Sequence, residues 1–211
     1  MEPFIRTDQY NFIRVQVRKL VNGHSTAKDA DVIKAIEDMV LENILAMFIN
    51  MNDEQKQLIQ PVVEIHDKEM AEKYLAQLKQ YVIPFNASEQ AVRKLFPKVK
   101  KLSVPPLDKM DLRDIVYLSW FDNSTSKKYI VSSHENKLSG IYGSFTQSNQ
   151  KGICSLCNGL GEVGMFLAEI KGKEKGTFTK RGNYICSDSQ KCNENLTSLD
   201  KLTDFIERLK G

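Results

Sequence analysis

All four cysteines of this 211-residue chain fall between positions 154 and 192, and no other feature constrains the fold as strongly. Cys154-Ser-Leu-Cys157 has the two-residue gap that lets one tight turn aim both sulfurs at a single ion. Cys186 closes a predicted strand, and Cys192 follows six residues later, before the last predicted helix. A knuckle, a hairpin and then ligands beside a helix start outline a treble-clef finger. One structural zinc ion held by Cys154, Cys157, Cys186 and Cys192 is the expected cofactor. Four thiolates on a dication leave a net negative charge that the flanking Lys151, Lys180, Arg181 and Lys191 are placed to offset. A thioredoxin-like redox pair would need a helix straight after Cys157, and Asn158-Gly-Leu-Gly161 argues against one. No histidine or fifth ligand type lies nearby to mark an open, catalytic coordination position.

Clustered thiols of this kind belong in a reducing compartment, where metal is favoured over disulfides. The first ten residues contain Glu2, Pro3, Arg6 and Asp8 where an export signal needs an apolar block. No apolar run is long enough to cross a bilayer. A cytoplasmic, membrane-free monomer is therefore expected, and the sequons at Asn86, Asn123 and Asn195 carry no weight. The hydrophobic fraction of 41% supports ordinary globular cores. Charge is uneven. Residues 1–86 carry 10 Lys and Arg against 13 Asp and Glu, whereas residues 87–211 carry 20 against 14. The second half attracts an acidic partner, either nucleic acid or an acidic protein face.

The hydrophobic period divides the chain in the same place. Tyr10, Ile13, Val17 and Leu20 recur at helical spacing. Ile33, Ile36, Val40, Ile44 and Met47 do so on a second helix over residues 28–50. Asn52 with Gln55 resembles a capping pair for a short third helix ending near Pro61. Asp67 opens a fourth, with Ala71, Tyr74, Leu75, Leu78 and Val82 inward and Pro84 as its stop. Short connections imply an antiparallel bundle. A fifth helix over residues 88–96 leads into the second half. Beyond Lys98 the period falls to two, with predicted strands over residues 114–120, 128–132, 138–145, 164–170 and 177–180. A last helix over residues 199–209 turns Leu202, Phe205, Ile206 and Leu209 to one side. The expected fold is α+β: an amino-terminal helical bundle over residues 1–86, then an α/β domain over 87–211 containing a four-cysteine, treble-clef-like zinc finger.

Other signals are discounted. Gly159-Leu-Gly161-Glu-Val-Gly164 matches the dinucleotide fingerprint literally, but that motif works only between a strand and a helix. Here it follows a knuckle and precedes a strand. His24, His66 and His134 are scattered, Trp120 reads as core, and no carboxylate pair suggests acid–base catalysis, so no enzyme is expected. Two basic stretches remain open between a solvated surface and a binding face. One contains Arg93, Lys94, Lys98, Lys100 and Lys101; the other contains Lys171, Lys173, Lys175, Lys180 and Arg181, interleaved with Phe178 and Tyr184.

Several longer stretches resemble a known family. They are Lys94-Leu-Phe-Pro-Lys-Val-Lys-Lys, Ser119-Trp-Phe-Asp-Asn-Ser, Lys127-Lys-Tyr-Ile-Val and Gly140-Ile-Tyr-Gly. Lys151-Gly-Ile-Cys-Ser-Leu-Cys-Asn, Lys180-Arg-Gly-Asn-Tyr-Ile-Cys-Ser-Asp-Ser and Lys191-Cys-Asn complete the pattern. In order and spacing the chain resembles the FusB-type fusidic acid resistance proteins and related bacterial elongation factor G-binding proteins. The resemblance implies a protein that binds elongation factor G in the cytosol. It implies release of that GTPase from ribosomes on which fusidic acid has trapped it, with the ribosome an indirect partner. Resistance would come by target protection, without chemistry on the drug.

The resemblance also places the partner surface on the finger domain, at Ile153, Lys180, Arg181, Tyr184 and Phe205. Ile153 stands where the family carries an aromatic, and Phe205 lies on the helix face assigned above to the core. The competing classes are a zinc-finger protein binding RNA or the ribosome through its basic loops, and the fibronectin-binding activity attached to some relatives. A reduced zinc site and the missing export signal argue against the latter.

Overall fold

The structure, a computed structural model, describes residues 1–134, 137–171 and 177–210. The chain divides into two compact units, Met1–Ile83 and Pro84–Gly211.

The first unit is helical. Helix α1 (Thr7–Thr26) buries Tyr10, Ile13, Val17 and Leu20 along one stripe. Helix α2 (Ala30–Ala46) buries Val40 and Ile44 fully, while Ile33, Ile36 and Met47 of the expected stripe are only half-buried. It ends before residue 50, where Asn50 takes a left-handed backbone with φ of 60°. Helix α3 (Asp53–Ile59) starts with the reciprocal cap expected of Asn52 and Gln55. The Gln55 amide donates to Asn52 Oδ1 at 2.9 Å, and the Asn52 amide to Gln55 Oε1 at 3.0 Å. A 3-10 turn (Gln60–Glu64) accommodates Pro61 in its first turn. Helix α4 (Lys68–Lys79) is capped by Asp67 and buries Ala71, Tyr74 and Leu78. It stops well short of Pro84, because the chain leaves the helix to pair Val82 with Ile5 in a parallel bridge. The Ile5 amide donates to Tyr81 O at 3.0 Å and the Ile83 amide to Ile5 O at 2.8 Å, which ties the chain start to the end of the bundle.

The second unit begins with α5 (Glu89–Lys94), capped by Ser88, and two 3-10 turns, Leu107–Lys109 and Leu112–Asp114. Five strands follow as an antiparallel meander in the order β1-β2-β3-β4-β5. They are β1 (Leu118–Asp122), β2 (Lys127–His134), β3 (Lys137–Ile153), β4 (Leu160–Lys171) and β5 (Phe178–Cys186). The last three run well beyond the expected stretches, because pairing with the neighbouring strand carries each of them on. Helices α6 (Ser189–Asn195) and α7 (Asp200–Lys210) close the chain.

Period-two alternation gives the sheet two apolar faces. Ile130, Ile141, Phe145, Phe166 and Ala168 pack with Leu202, Phe205, Ile206 and Leu209 of α7. Phe96, just past α5, packs edge-on against Trp120, Tyr129 and Tyr142, with Trp120 stacked on Tyr129 at 5.0 Å between centroids. Half-buried Trp120 thus joins a core, as its strand position implied.

Candidate metal centre and partner surface

The four cysteines converge from three elements. Cys154 and Cys157 lie on the knuckle joining β3 to β4, Cys186 ends β5, and Cys192 sits inside α6. That short helix is absent from the sequence expectation: its seven residues carry no apolar stripe, and Asp188 starts it by accepting from the Gln190 and Lys191 amides. The four sulfurs lie within 4.8 Å of one another, with Cys154 to Cys192 at 3.7 Å and Cys157 to Cys186 at 3.6 Å. A tetrahedral ion with Zn–S bonds of about 2.3 Å requires sulfur–sulfur edges of about 3.8 Å. These separations fit that edge and are far too long for disulfides.

Backbone amides orient the ligands. Leu156 and Gly159 each donate to the cysteine two residues earlier, at 3.4 Å, and the Cys186 amide donates to Cys154 Sγ at 3.3 Å. Asn158 makes the turn with φ of 59°, and its amide donates to Cys154 O at 2.9 Å. Four sulfurs this close repel one another once they ionise, each raising the cost of charging the next. A bound dication resolves that conflict, since every ligand can then be thiolate.

A buried cation beside the centre is a residue the sequence did not single out. Lys128 is 1% exposed, and its ammonium donates to Cys186 O at 3.0 Å and Ser187 O at 2.9 Å. Burial lowers its pKa, while the Cys192, Cys186 and Cys154 sulfurs pull the other way. Lys151, Lys180, Arg181 and Lys191, the expected counter-charges, are all exposed and contribute only through solvent. Strand alternation was the available signal: Tyr129 and Lys127 face the aromatic cluster side, which sends Lys128 to the metal side. Two more supports went unnoticed. Asn193 bridges α6 to the segment entering β1, accepting from the Val116 and Tyr117 amides at 2.7 and 3.0 Å and donating to Tyr117 O at 3.0 Å. Tyr117 is fully buried, and burial first, then Cys192, holds its hydroxyl pKa well above the ordinary value.

The glycine fingerprint resolves as expected. Gly161 and Gly164 lie within β4, where the fingerprint would need the start of a helix. A methyl group at Gly164 would overlap the Phe145 ring, so close packing accounts for that glycine. The histidines are less scattered than they read. His24 lies 3.4 Å from Glu37 with its ring 6.1 Å from His66, yet among the described residues only the cysteines form a metal-ligand group.

The residues expected at a partner surface divide into two groups. Lys180, Arg181 and Tyr184 are exposed on β5, and Ile153 is 63% exposed at the end of β3. The Ser155 amide donates to Tyr184 O at 2.9 Å, which holds the Ile153 end of the knuckle against β5. Leu160, paired with Ile153 and 76% exposed, extends this apolar edge and was missed because it reads as a loop residue. Phe205 departs from the group. It is 8% exposed and its ring packs against Phe166 at 5.9 Å, because α7 turns that face onto the sheet. Lys173 and Lys175 of the second basic stretch, and the side chain of Lys171, lie outside the described residues.

A closed four-thiolate centre at the junction of a knuckle, a strand end and a helix defines the class: a treble-clef protein with one structural zinc ion. Residues 93–208 match the family model described as the FBP C-terminal treble-clef zinc-finger, and residues 4–86 match the one described as elongation factor G-binding protein, N-terminal. A solved structure, "Structure of the fusidic acid resistance protein FusC", is 35% identical with a TM-score of 0.86, over 99% of this chain and 98% of that one. No curated protein matches the chain. The chain belongs to the FusB-type family of elongation factor G-binding proteins.

Proposed function

We propose that this protein binds elongation factor G in the cytoplasm and promotes its release from ribosomes stalled by fusidic acid. The observation that carries this reading is the end-to-end similarity to the fusidic acid resistance protein FusC, at 35% identity over 99% of the chain. The geometry supplies a means. The zinc centre fixes the end of β5 and the knuckle, and these present Lys180, Arg181, Tyr184, Ile153 and Leu160 to solvent. Binding energy from such a surface acts without catalysis: it favours the factor conformation that the ribosome holds poorly. Phe205 contributes indirectly, by seating α7 under the sheet that carries these residues.

Titration calorimetry of the zinc-loaded protein against elongation factor G, without ribosomes, tests the reading. One-to-one binding, followed by faster factor release from fusidic-acid-stalled ribosomes, supports it. Absence of binding at micromolar concentrations overturns it. A second reading, RNA binding, draws on Lys94, Lys98, Lys100 and Lys101, which are all exposed. It requires affinity for RNA that falls steeply with salt, with a logarithmic slope of roughly 0.7 to 0.9 per phosphate contact.

A further inference from the structure

Strand β5 is the last in the sheet, so one of its long sides is an edge. Its register with β4 runs without a bulge from Val163↔Cys186 to Lys171↔Phe178. In an antiparallel ladder the amide and carbonyl of one residue point the same way and alternate along the strand. Four contacts fix the parity here. The Ser187 amide donates to Glu162 O, so odd-numbered residues face β4. The Cys186 amide donates instead to Cys154 Sγ, Tyr184 O accepts from Ser155, and the Tyr184 amide donates to Asn183 Oδ1. Even-numbered residues therefore face outward. At Cys186 and Tyr184 that outer edge is already occupied by the knuckle and by Asn183.

Further along, the amides and carbonyls of Phe178, Lys180 and Gly182 point outward with no partner among the described residues. The strand is bare on its faces as well, since every residue from Phe178 to Tyr184 is exposed. Unprotected strand edges are templates for another strand, and proteins normally cover or shorten them. This one is tied to the knuckle at one end and, among the described residues, left open at the other.

We infer that elongation factor G docks by adding a short, extended, acidic segment to the open edge of β5 along Phe178–Gly182. This deepens the proposed function and rests on it. Charge selects the occupant. Lys180 and Arg181 alternate to opposite faces of the strand, so an added strand meets a cation on each side. The Lys180 contact to Glu169, 3.8 Å between exposed groups, is weak enough to exchange for a partner carboxylate. A second copy of this chain would bring like charges together across the new ladder, which disfavours self-pairing. Phe178 and Tyr184, on the same face as Lys180, supply exposed rings for the alternate side chains of the incoming strand.

The test uses the full zinc-loaded chain with and without saturating elongation factor G, with hydrogen exchange read amide by amide. The Phe178, Lys180 and Gly182 amides are expected to exchange at least about tenfold more slowly in the complex, while Thr179 and Arg181, already paired to β4, change little. Unchanged exchange at the three outward amides in a complex that has formed overturns strand addition but leaves the partner reading intact. Absence of any complex removes both. Protection of the same amides in the free protein, with a concentration-dependent dimer, assigns the edge to a second copy and overturns the inference.

Lys180→Pro provides a second arm. It deletes the outward donor without touching the β4 ladder, while Lys180→Ala deletes only the charge. Proline is expected to weaken binding at least about tenfold beyond alanine, with zinc content unchanged. Equal losses in the two variants overturn the inference. If the proline variant does not fold, the exchange measurement on the unaltered chain decides.

Discussion

The two units of this chain are stabilised in different ways, and the contrast explains where its working surface can be. In the helical unit Ile5, Ile13, Leu20, Ile44, Ile59 and Leu78 are all fully buried, and every element contributes to one apolar core. In the second unit, β5 buries only its last two residues, Ile185 and Cys186. Burial cannot hold such a strand in place. The ladder to β4 does so instead, and the metal centre ties the end of the strand to the knuckle and to α6. A surface that need not pack is free to be polar, aromatic and basic, as Lys180, Arg181 and Tyr184 are.

Removing the metal should produce the largest effect and break the comparison cleanly. Chelation, or Cys154→Ser, should abolish folding of the finger and all binding to elongation factor G, because metal binding and folding are coupled. Acid should act in the same direction, since protons compete with zinc for the thiolates and affinity falls as pH falls. Helical circular dichroism from the first unit should survive both treatments. Its loss would show that the first unit depends on the metal too. Leu20→Ala should do the converse, costing about 2–5 kcal/mol in the helical unit through the cavity it leaves. Its zinc affinity, measured by chelator competition, should stay at the unaltered value.

Much of this contrast was legible in the sequence. The zinc ligands could be read because thiolates are rare and their spacing is informative, and the helices because Ile13, Val17, Leu20 and Leu78 repeat at helical spacing. Caps at Asn52 and Asp67 announced themselves through local side-chain chemistry. What escaped was set by tertiary contact. Helix α6 has no stripe to reveal it, and α4 stops early for a bridge to Ile5, a residue far away in sequence. Lys128 reads as one more surface lysine until the fold places two carbonyls above it. Phe205 shows the limit of a family resemblance, since matching a position does not place its ring in solvent.

Lys128→Ala sharpens the comparison from the metal side. It leaves the buried Cys186 O and the part-buried Ser187 O without their donor, at a cost of about 1–3 kcal/mol in the second unit. Zinc affinity should drop about 10- to 100-fold, as is usual when the groups supporting metal ligands are removed. Lys151→Ala, an exposed lysine beside the knuckle, should change neither quantity measurably. If the two variants behaved alike, charge would be offset by the whole surface and not by one buried ammonium. Tyr184→Ala should leave stability and zinc untouched and weaken partner binding by about tenfold or more, as loss of an exposed aromatic anchor does. Unchanged affinity would take Tyr184 out of the proposed interface.

The smallest effect is the most diagnostic of how the helical unit is assembled. Asn52→Ala removes the side-chain oxygen that accepts from the Gln55 amide at 2.9 Å, and with it one half of a reciprocal cap. Gln55 keeps its own bond to the Asn52 amide at 3.0 Å, so the helix start is weakened and not lost. The cost should be about 1 kcal/mol, read as a lower denaturant midpoint with an unchanged slope. Zinc affinity and binding to elongation factor G should not move, because the metal ligands and the proposed contact residues all lie beyond residue 150. A larger loss, or a changed slope, would mean that α3 and the 3-10 turn after it melt together. Ile59 and Val62, both fully buried between them, would then be carrying cooperativity across the bundle.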